Sequence, residues 1–590
     1  MEKRLLLVFA LTFLVILVFQ PLLKKYLPQP PEPAPQKQAT TQPQAAPSSA
    51  PSAAATQPAA KAAAAVVNKQ ASAESETVVE SDLYRITFSN RGAQVKSWIL
   101  KKYDDDTGKP LDLVNKTAAA KYGYPLSLWL YDETLRNKLN SSLYVLASSG
   151  PAKAGENATL SAPAELSFEY ADADTVVRKS FRFDGSYVVK VDTSVTNNDR
   201  PLTALPMWPA GFGDQLTAAA YAASRSEYHN DESTERSYLV LPKPTERLTV
   251  KQVSGGRTIT GLLNWAGTVD QYFGAVFIPD EPRNAALVLL RGSIEIPKDA
   301  QKPNPNDLTS VDVLGAAVGD LHGRTSERLF VGPKALPVVE AVPVASTAGQ
   351  SDLRELVNFG TFGFIARPLF IWLHWTYEHI VANWGWAIVI QTAIITIALL
   401  PLRISSMKSA LKMQKIQPQM NAIKEKYKKY SMRDPRKQDM NQEIAALMKR
   451  EGVSPAGGCL PLLIQMPFIF AYYSMLGAAL DLRHAHWLWI SDLSSRDPWF
   501  LLPIALVLSM IVTQRMTPAT GMDPQQQKMM NLMMPLMMGF IFFNLAAGLN
   551  LYYAESNLIG IVQQVVMNRT SLGREMREIA EKRARKKDKK

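Results

Sequence analysis

A chain of 590 residues and 65.3 kDa is too long for one compact core and must divide into several units. Its mean hydropathy of -0.08 resembles that of a soluble protein only because polar and apolar stretches cancel, and the long apolar runs exclude an ordinary soluble enzyme. The single cysteine, Cys459, excludes an intramolecular disulfide and reads as a buried thiol, while the net charge of +12, gathered after Pro401 and in the C-terminal tail, calls for an anionic partner such as RNA or lipid headgroups.

The chain opens on "MEKRLLLVFALTFLVILVF", a basic start followed by an apolar run, with no small-residue cleavage site after it. Residues 1–27 therefore read as an uncleaved signal anchor with its N-terminus in the cytoplasm. Residues 28–76 are rich in Pro, Ala, Gln and Ser, a composition that builds no core, and read as an extended tether. Over 77–344 the pattern changes to short alternating segments such as "LYRITFSNRGAQVKSWIL" and "KSFRFDGSYVVKVDTSVTN". In the latter, Asp184 and Gly185 mark a hairpin turn between Phe181, Phe183 and the alternating Val189, Val191. A large all-β sandwich outside the cytoplasm is expected, held by core packing alone.

Residues 345–385 crowd aromatic side chains in "FGTFGFIARPLFIWLHWTYEHIVANWGW", as expected of a linker and an amphipathic helix lying in the membrane interface. From 386 to 568 five further apolar spans follow, about 386–402, 460–480, 499–512, 529–545 and 549–566, which with the first makes six. Between 403 and 450 there are 13 Lys and Arg against 4 acids, the loop 481–500 has two Arg against three Asp, and the tail 569–590 has 10 Lys and Arg. The positive-inside rule then puts both termini in the cytoplasm and the β domain outside. Within 403–450, Met413, Ile416, Met420, Ile423 and Tyr427 step by three and four, and Met440, Ile444 and Leu447 repeat the spacing beyond Asp434 and Pro435, the pattern of an antiparallel helical hairpin. Its surplus cations Lys424, Lys428, Lys429, Arg433, Arg436 and Lys437, with Arg583, Arg585, Lys586 and Lys587 of the tail, suit ribosomal RNA, although a solvated spacer would show the same pattern.

No enzyme motif emerges. His374 and His379 lie five apart, about 140° round a helix, and so do not share a face as a zinc-protease pair would. There is no Gly-x-Ser-x-Gly, phosphate loop or paired Asp motif in the spans, and no metal or cofactor is expected. Methionines 529, 530, 533, 534, 537 and 538 form a stripe that ordinary helix packing explains as well as an adaptable apolar surface does. Polar groups inside the spans are more telling, because burying them in hydrocarbon is costly. They are Gln391, Thr392, Thr396, Gln465, Gln514, Asn544, Tyr552, Tyr553, Glu555 and Asn557. Each alone reads as a helix-to-helix hydrogen bond, whereas together they point to a shared hydrated cavity.

The pieces "FSNRGA", "DQYFGAVFIP", "LFVGPK", "NWGWAI", "GGCLPLLIQMPFIF", "DPQQQKMMNLMMP" and "LYYAESNLIGIVQQ" occur in this order, and through them nearly the whole chain resembles the YidC membrane protein insertases of the Gram-negative type with a large periplasmic domain. The resemblance implies a multi-domain inner-membrane protein: a periplasmic β-supersandwich and an all-α transmembrane bundle of six spans. It also implies a hydrophilic groove that receives the polar parts of nascent membrane proteins without enzymatic chemistry. Its implied partners are the ribosome, the Sec translocon, the signal recognition particle receptor and membrane lipids. It further implies that Thr392 and Tyr553 contact substrate in the groove. Aligning "NWG" and Pro401-Leu402 without gaps puts Thr396 where the family commonly has a groove arginine. Thr392, Thr396 and Arg403 fall near one helix face, so Arg403, about 10 Å nearer the cytoplasm than Thr396, is expected to supply attraction at the groove mouth. The expected groove comprises Thr392, Thr396, Arg403, Gln465, Tyr552, Tyr553 and Glu555. Two rival readings are a small-solute transporter, which would show inverted repeats that the spans lack, and a carbohydrate-binding outer sandwich.

Overall fold

Alternation of apolar and polar residues builds many of the strands between 76 and 333. In the computed structural model, which describes residues 68–147, 158–230, 245–299, 304–346, 349–430, 434–453, 460–516 and 524–579 apart from 572 and 576, the strands in chain order include β1 (Glu76–Glu80), β2 (Tyr84–Ser89), β3 (Gln94–Asp104), β4 (Thr175–Phe183) and β5 (Val188–Asn197). They continue with β6 (Arg225–Asn230), β7 (Leu263–Val269), β8 (Phe273–Pro279), β9 (Ala285–Pro297), β10 (Leu308–Asp320) and β11 (Arg324–Pro333). Residues 175, 177, 179, 181 and 183 of β4 are all buried, as period-two geometry requires of a core-facing strand. The turn to β5 passes through Gly185 at φ +91°, and the register pairs Phe183 with Val189 and Phe181 with Val191.

A ten-stranded sheet runs in the order 245–249, β6, β7, β8, β11, β5, β4, 164–171, 145–146, with 200–201 added on β5. Two five-stranded sheets follow, one of 110–112, β3, β2, β1 and 158–161, the other of 258–260, β9, β10, 205–208 and 127–129, together with a two-stranded ribbon of 343–346 and 349–352. Every residue of β7 and β8 is buried, which explains why "FGAVFIP" reads as a continuous apolar run rather than an alternating one. Aromatic packing centres on Phe88, whose ring lies 4.9 Å from that of Phe181 and 6.0 Å from that of Phe183. Lys179 is buried in this core. Its ammonium donates to the carbonyls of Gly92 (2.7 Å), Ala93 (3.2 Å) and Leu126 (2.8 Å), all three residues having positive φ.

This β unit takes in 65–370 and also 473–485. Arg483 fastens the second segment: its guanidinium donates to Asp104 O at 3.0 Å and lies 3.5 Å from Asp106 Oδ1, and the His484 ring is 3.2 Å from the same carboxylate oxygen.

The second unit, 1–64 with 371–472 and 486–590, is mainly helical where it is described, with the stretch 486–500 as loop. The helices are α1 (Gly363–His379, begun in the β unit), α2 (Trp384–Ala398), α3 (Leu400–Lys426), α4 (Arg436–Arg450), α5 (Leu460–Ala478, ending in the β unit), α6 (Leu501–Met516), α7 (Pro524–Phe542) and α8 (Ala547–Arg569). Among the described residues no single helix is long and apolar enough to cross a membrane, although α2 and α3 together are, with a 44° bend between them. The expected count of six separate crossings is therefore not recovered from helix length. The break has a local cause: Pro401, in the first turn of α3, lacks the N–H that would continue the α2 ladder. The expected signal anchor at 1–27, the tether up to residue 67, Cys459, Arg433 and the four tail cations lie outside the described residues.

Helices α3 and α4 pack as a hairpin through Met413, Ile416, Met420, Ile444, Leu447, Met448 and Val453, with Ile423 and Met440 at the margin. Glu443 closes its tip, accepting from Lys426 Nζ (2.7 Å) and the Tyr427 hydroxyl (2.8 Å).

Candidate functional site

The "NWGWAI" motif begins the site. Asn383 caps α2, its side chain accepting from Trp386 N (3.1 Å), while Nδ2 donates to His486 O (3.0 Å). Gly385 is fixed by crowding: a Cβ there would stand 2.1 Å from Trp487 Cδ1. His374 and His379 serve as aromatic packing, His374 edge-on to Trp384 at 4.9 Å and His379 stacked on Trp375 at 5.4 Å. Among the described residues no three His, Cys, Asp or Glu side chains converge as metal ligands.

At the starts of α6 and α8, loop backbone and a buried carboxylate satisfy the helix N-termini. Asp497, 1% exposed, accepts from Leu502 N at the start of α6 (2.7 Å) and from the Trp489 indole (3.1 Å). Ala547 N and Gly548 N of α8 donate to Ser495 O (2.6 Å) and Leu493 O (2.8 Å). Asn550 Nδ2 donates to Phe542 O (3.0 Å) and Leu545 O (3.3 Å), tying the end of α7 to α8.

Inside this frame a polar spine crosses the apolar helices. Gln391 and Thr392 are completely buried on α2. Gln391 Oε1 accepts from the Tyr472 hydroxyl of α5 (2.8 Å), and the Tyr472 ring stacks on Tyr552 of α8 at 4.0 Å and 16°. Tyr552 meets Tyr553 edge-on at 5.1 Å, and Tyr553 meets Phe542 at 4.8 Å. Contacts of this kind add about 0.5–1.5 kcal/mol each beyond area burial. Thr392 donates to Ile388 O (2.7 Å) and lies beside the carboxyl of Glu555, whose buried Oε2 has no hydrogen-bond partner among the described residues.

One to two turns toward the end of α8, a second polar group forms. Arg403 Nη1 donates to Gln563 Oε1 (3.0 Å), and Gln563 Nε2 donates to Thr396 O (3.3 Å). Gly560 leaves the space in which the guanidinium lies, since a Cβ there would be 2.8 Å from Nη1. Thr396 and Arg403 are thus joined through α8.

Of the expected site residues, Thr392, Tyr552, Tyr553 and Glu555 share the upper group and Thr396 and Arg403 the lower, while the side chain of Gln465 lies outside what is described. Tyr472 and Gln563 were not anticipated. A tyrosine pair in the third span and the "QQ" of "IVQQ" were the available signals, yet neither identifies its partner. In the hairpin, Lys424, Lys428 and Lys429 are exposed, Arg436 is paired with Asp434 (2.9 Å), and Lys437 donates to Tyr427 O (2.9 Å). A separate apolar pocket of about 350 Å³ lies between α6 and α7, lined by Ile504, Val507, Leu508, Leu536, Gly539, Phe540 and Phe543.

A β-rich domain followed by a helical unit with buried polar groups in apolar helices defines a two-part membrane protein whose helices do more than anchor it. Residues 76–372 match the YidC periplasmic domain, and residues 375–574 match the 60Kd inner membrane protein family. The membrane protein insertase YidC of Citrifermentans bemidjiense is 31% identical over 503 residues, covering 84% of this chain and 85% of the relative. That of Geobacter metallireducens is 32% identical over 584 residues, covering 97% and 99%. A crystal structure of an active YidC insertase with its first transmembrane domain resolved aligns over 86% of this chain and 95% of its own, at 18% identity and a TM-score of 0.33. The chain belongs to the YidC family of membrane protein insertases, which makes it an inner-membrane protein with a periplasmic domain. These relatives do not favour the solute-transporter and carbohydrate-binding readings.

Proposed function

We propose that this chain receives the polar part of a nascent inner-membrane protein against the polar faces of α2, α5 and α8 and releases the apolar part sideways into lipid. The observation that carries the reading is the polar spine Gln391, Thr392, Tyr472, Tyr552, Glu555, continued by Thr396, Gln563 and Arg403, which runs through the apolar stretches of α2, α5 and α8 to the start of α3. Polar groups at membrane depth are retained where they meet a polar partner or water, so a polar client segment finds there what hydrocarbon denies it. Partition of the client's apolar segment drives release, at roughly 25 cal/mol for each Å² removed from water. No nucleotide enters this scheme.

The finer organisation belongs to the same proposal: six spans, both termini in the cytoplasm, and the β domain in the periplasm. Lys424, Lys428, Lys429, Arg433, Arg436 and Lys437 of the hairpin, with Arg583, Arg585, Lys586 and Lys587 of the tail, then face ribosomal RNA. The Sec translocon and the signal recognition particle receptor are the remaining proposed partners. Site-specific photocrosslinking tests the reading, with the probe at position 396 and a control at Ile397, which is 60% exposed on the same helix. A ribosome-held membrane protein should crosslink at 396 and only weakly at 397. Equal yields at both positions, or crosslinking at 397 alone, would place the client path elsewhere.

A further inference from the structure

Across the five apolar spans between 386 and 566, one Asp, Glu, Lys or Arg occurs, and it is Glu555. Eight residues into α8, it lies about 12 Å from that helix's start, well within the apolar thickness. A carboxyl group at such a position is normally answered by a partner, because an unpaired charge in hydrocarbon is costly. Among the described residues none makes a hydrogen bond to Oε2. Thr392, beside it, gives its hydroxyl proton to Ile388 O, and the Tyr472 hydroxyl gives its proton to Gln391. The nearest cation along the spine, Arg403, packs against Gly560 and is held by Gln563, five and eight residues further along α8. Those spacings correspond to about 7.5 and 12 Å of helix rise. Arg403 is therefore committed elsewhere, and the carboxylate is left as an open acceptor among tyrosine rings.

Resting on the insertase reading, we propose that Glu555 is a specificity residue: it accepts a lysine or arginine side chain of the entering polar segment, so that this groove favours clients with a cation there over clients with an acid. A basic side chain brought to Glu555 cancels the one formal charge in the spans and is cancelled by it, and its ammonium or guanidinium supplies the hydrogen bonds that Oε2 lacks. An acidic side chain meets like charge and no donor.

The test uses the full chain in proteoliposomes and a ribosome-held client whose polar segment carries Lys, Met or Glu at one position, next to a photoreactive residue. The yield of crosslinks to α8 is measured for the wild type, Glu555→Gln and Glu555→Asp. The wild type should capture the Lys client about fivefold better than the Glu client, the scale of one hydrated ion pair. Glu555→Asp should keep that order, and Glu555→Gln should bring the two clients within about twofold. Equal capture by the wild type, an unchanged preference in Glu555→Gln, or loss of all three clients in both variants would overturn the proposal, the last because Glu555 would then be only structural. The Met client separates the two layers. If it reaches position 396 in the wild type with no preference for Lys, the charge proposal alone falls; if it fails to reach 396, the insertase reading falls and takes this proposal with it.

Discussion

Glu327 occupies a position in β11 where an ionised carboxylate has no support. It is completely buried, neither side-chain oxygen has a hydrogen-bond partner among the described residues, and Lys190, the nearby cation, is paired with Asp280. Burial pushes its carboxyl well above the ordinary 4.5, with Lys190 opposing the shift. Because the folded state holds this proton and the unfolded state releases it above about 4.5, the unfolded state binds fewer protons, and stability falls as pH rises above that value. Replacement by an apolar side chain of similar length should remove both the slope and the burial penalty. Glu327→Met is expected to stabilise the β unit by roughly 1–3 kcal/mol at pH 8 and by less at pH 5. Hydrogen exchange of β11 through a urea titration of the full chain would show it, and a variant less stable at both values would contradict it. Lys179 shows the contrasting solution, a buried charge whose ammonium is answered by three carbonyls. Alternation alone puts both on the core face, Lys179 in phase with Phe181 and Phe183 and Glu327 with Leu329 and Val331, but what answers each group there depends on residues far away in the chain.

The α3/α4 hairpin was legible because its apolar residues recur by three and four, and the buried seam uses those positions, Met413, Ile416, Met420, Ile444 and Leu447. A polar group in that seam has no partner to meet. Ile444→Asn should cost about 2–4 kcal/mol of local stability, opening the hairpin near its tip. Trypsin acting on the full chain should then cut after Lys428 and Lys429 about thirtyfold faster than in the wild type or more, the effect of ~2 kcal/mol or above in the open population. Unchanged cleavage would mean that the seam does not hold the tip. Helix ends and helix partners were less legible. Pro401 signalled a boundary, but the bend and the short α2 depend on how the first turn of α3 is satisfied. Tyr472 meeting Gln391, and Gln563 joining Arg403 to Thr396, are contacts between residues 81, 160 and 167 positions apart, beyond the reach of any local pattern.

At the scale of the whole molecule, the legible quantity was charge. The segment 403–450 and the tail 569–590 hold 23 of the 65 Lys and Arg residues, while 481–500 is slightly acidic. The division into compact units was less visible, since 473–485, whose first eight residues belong to the expected span 460–480, falls with the β unit, to which Arg483 fastens it. Charge nevertheless decides orientation, because cationic loops resist transfer across the inner membrane whereas neutral or acidic ones pass. The chain lends itself to a direct check, as Cys459 is its one thiol. With Cys459→Ser as background, a cysteine at exposed Lys429 in the turn of the hairpin should react with an impermeant maleimide only in inverted vesicles. A cysteine at exposed Ser254 in the β unit should react in intact spheroplasts. Labelling of both positions from the same side would mean that the hairpin and the β domain are not divided by the membrane. The cations of 403–450 would then have no route to a ribosome in the cytoplasm while the β domain stands in the periplasm.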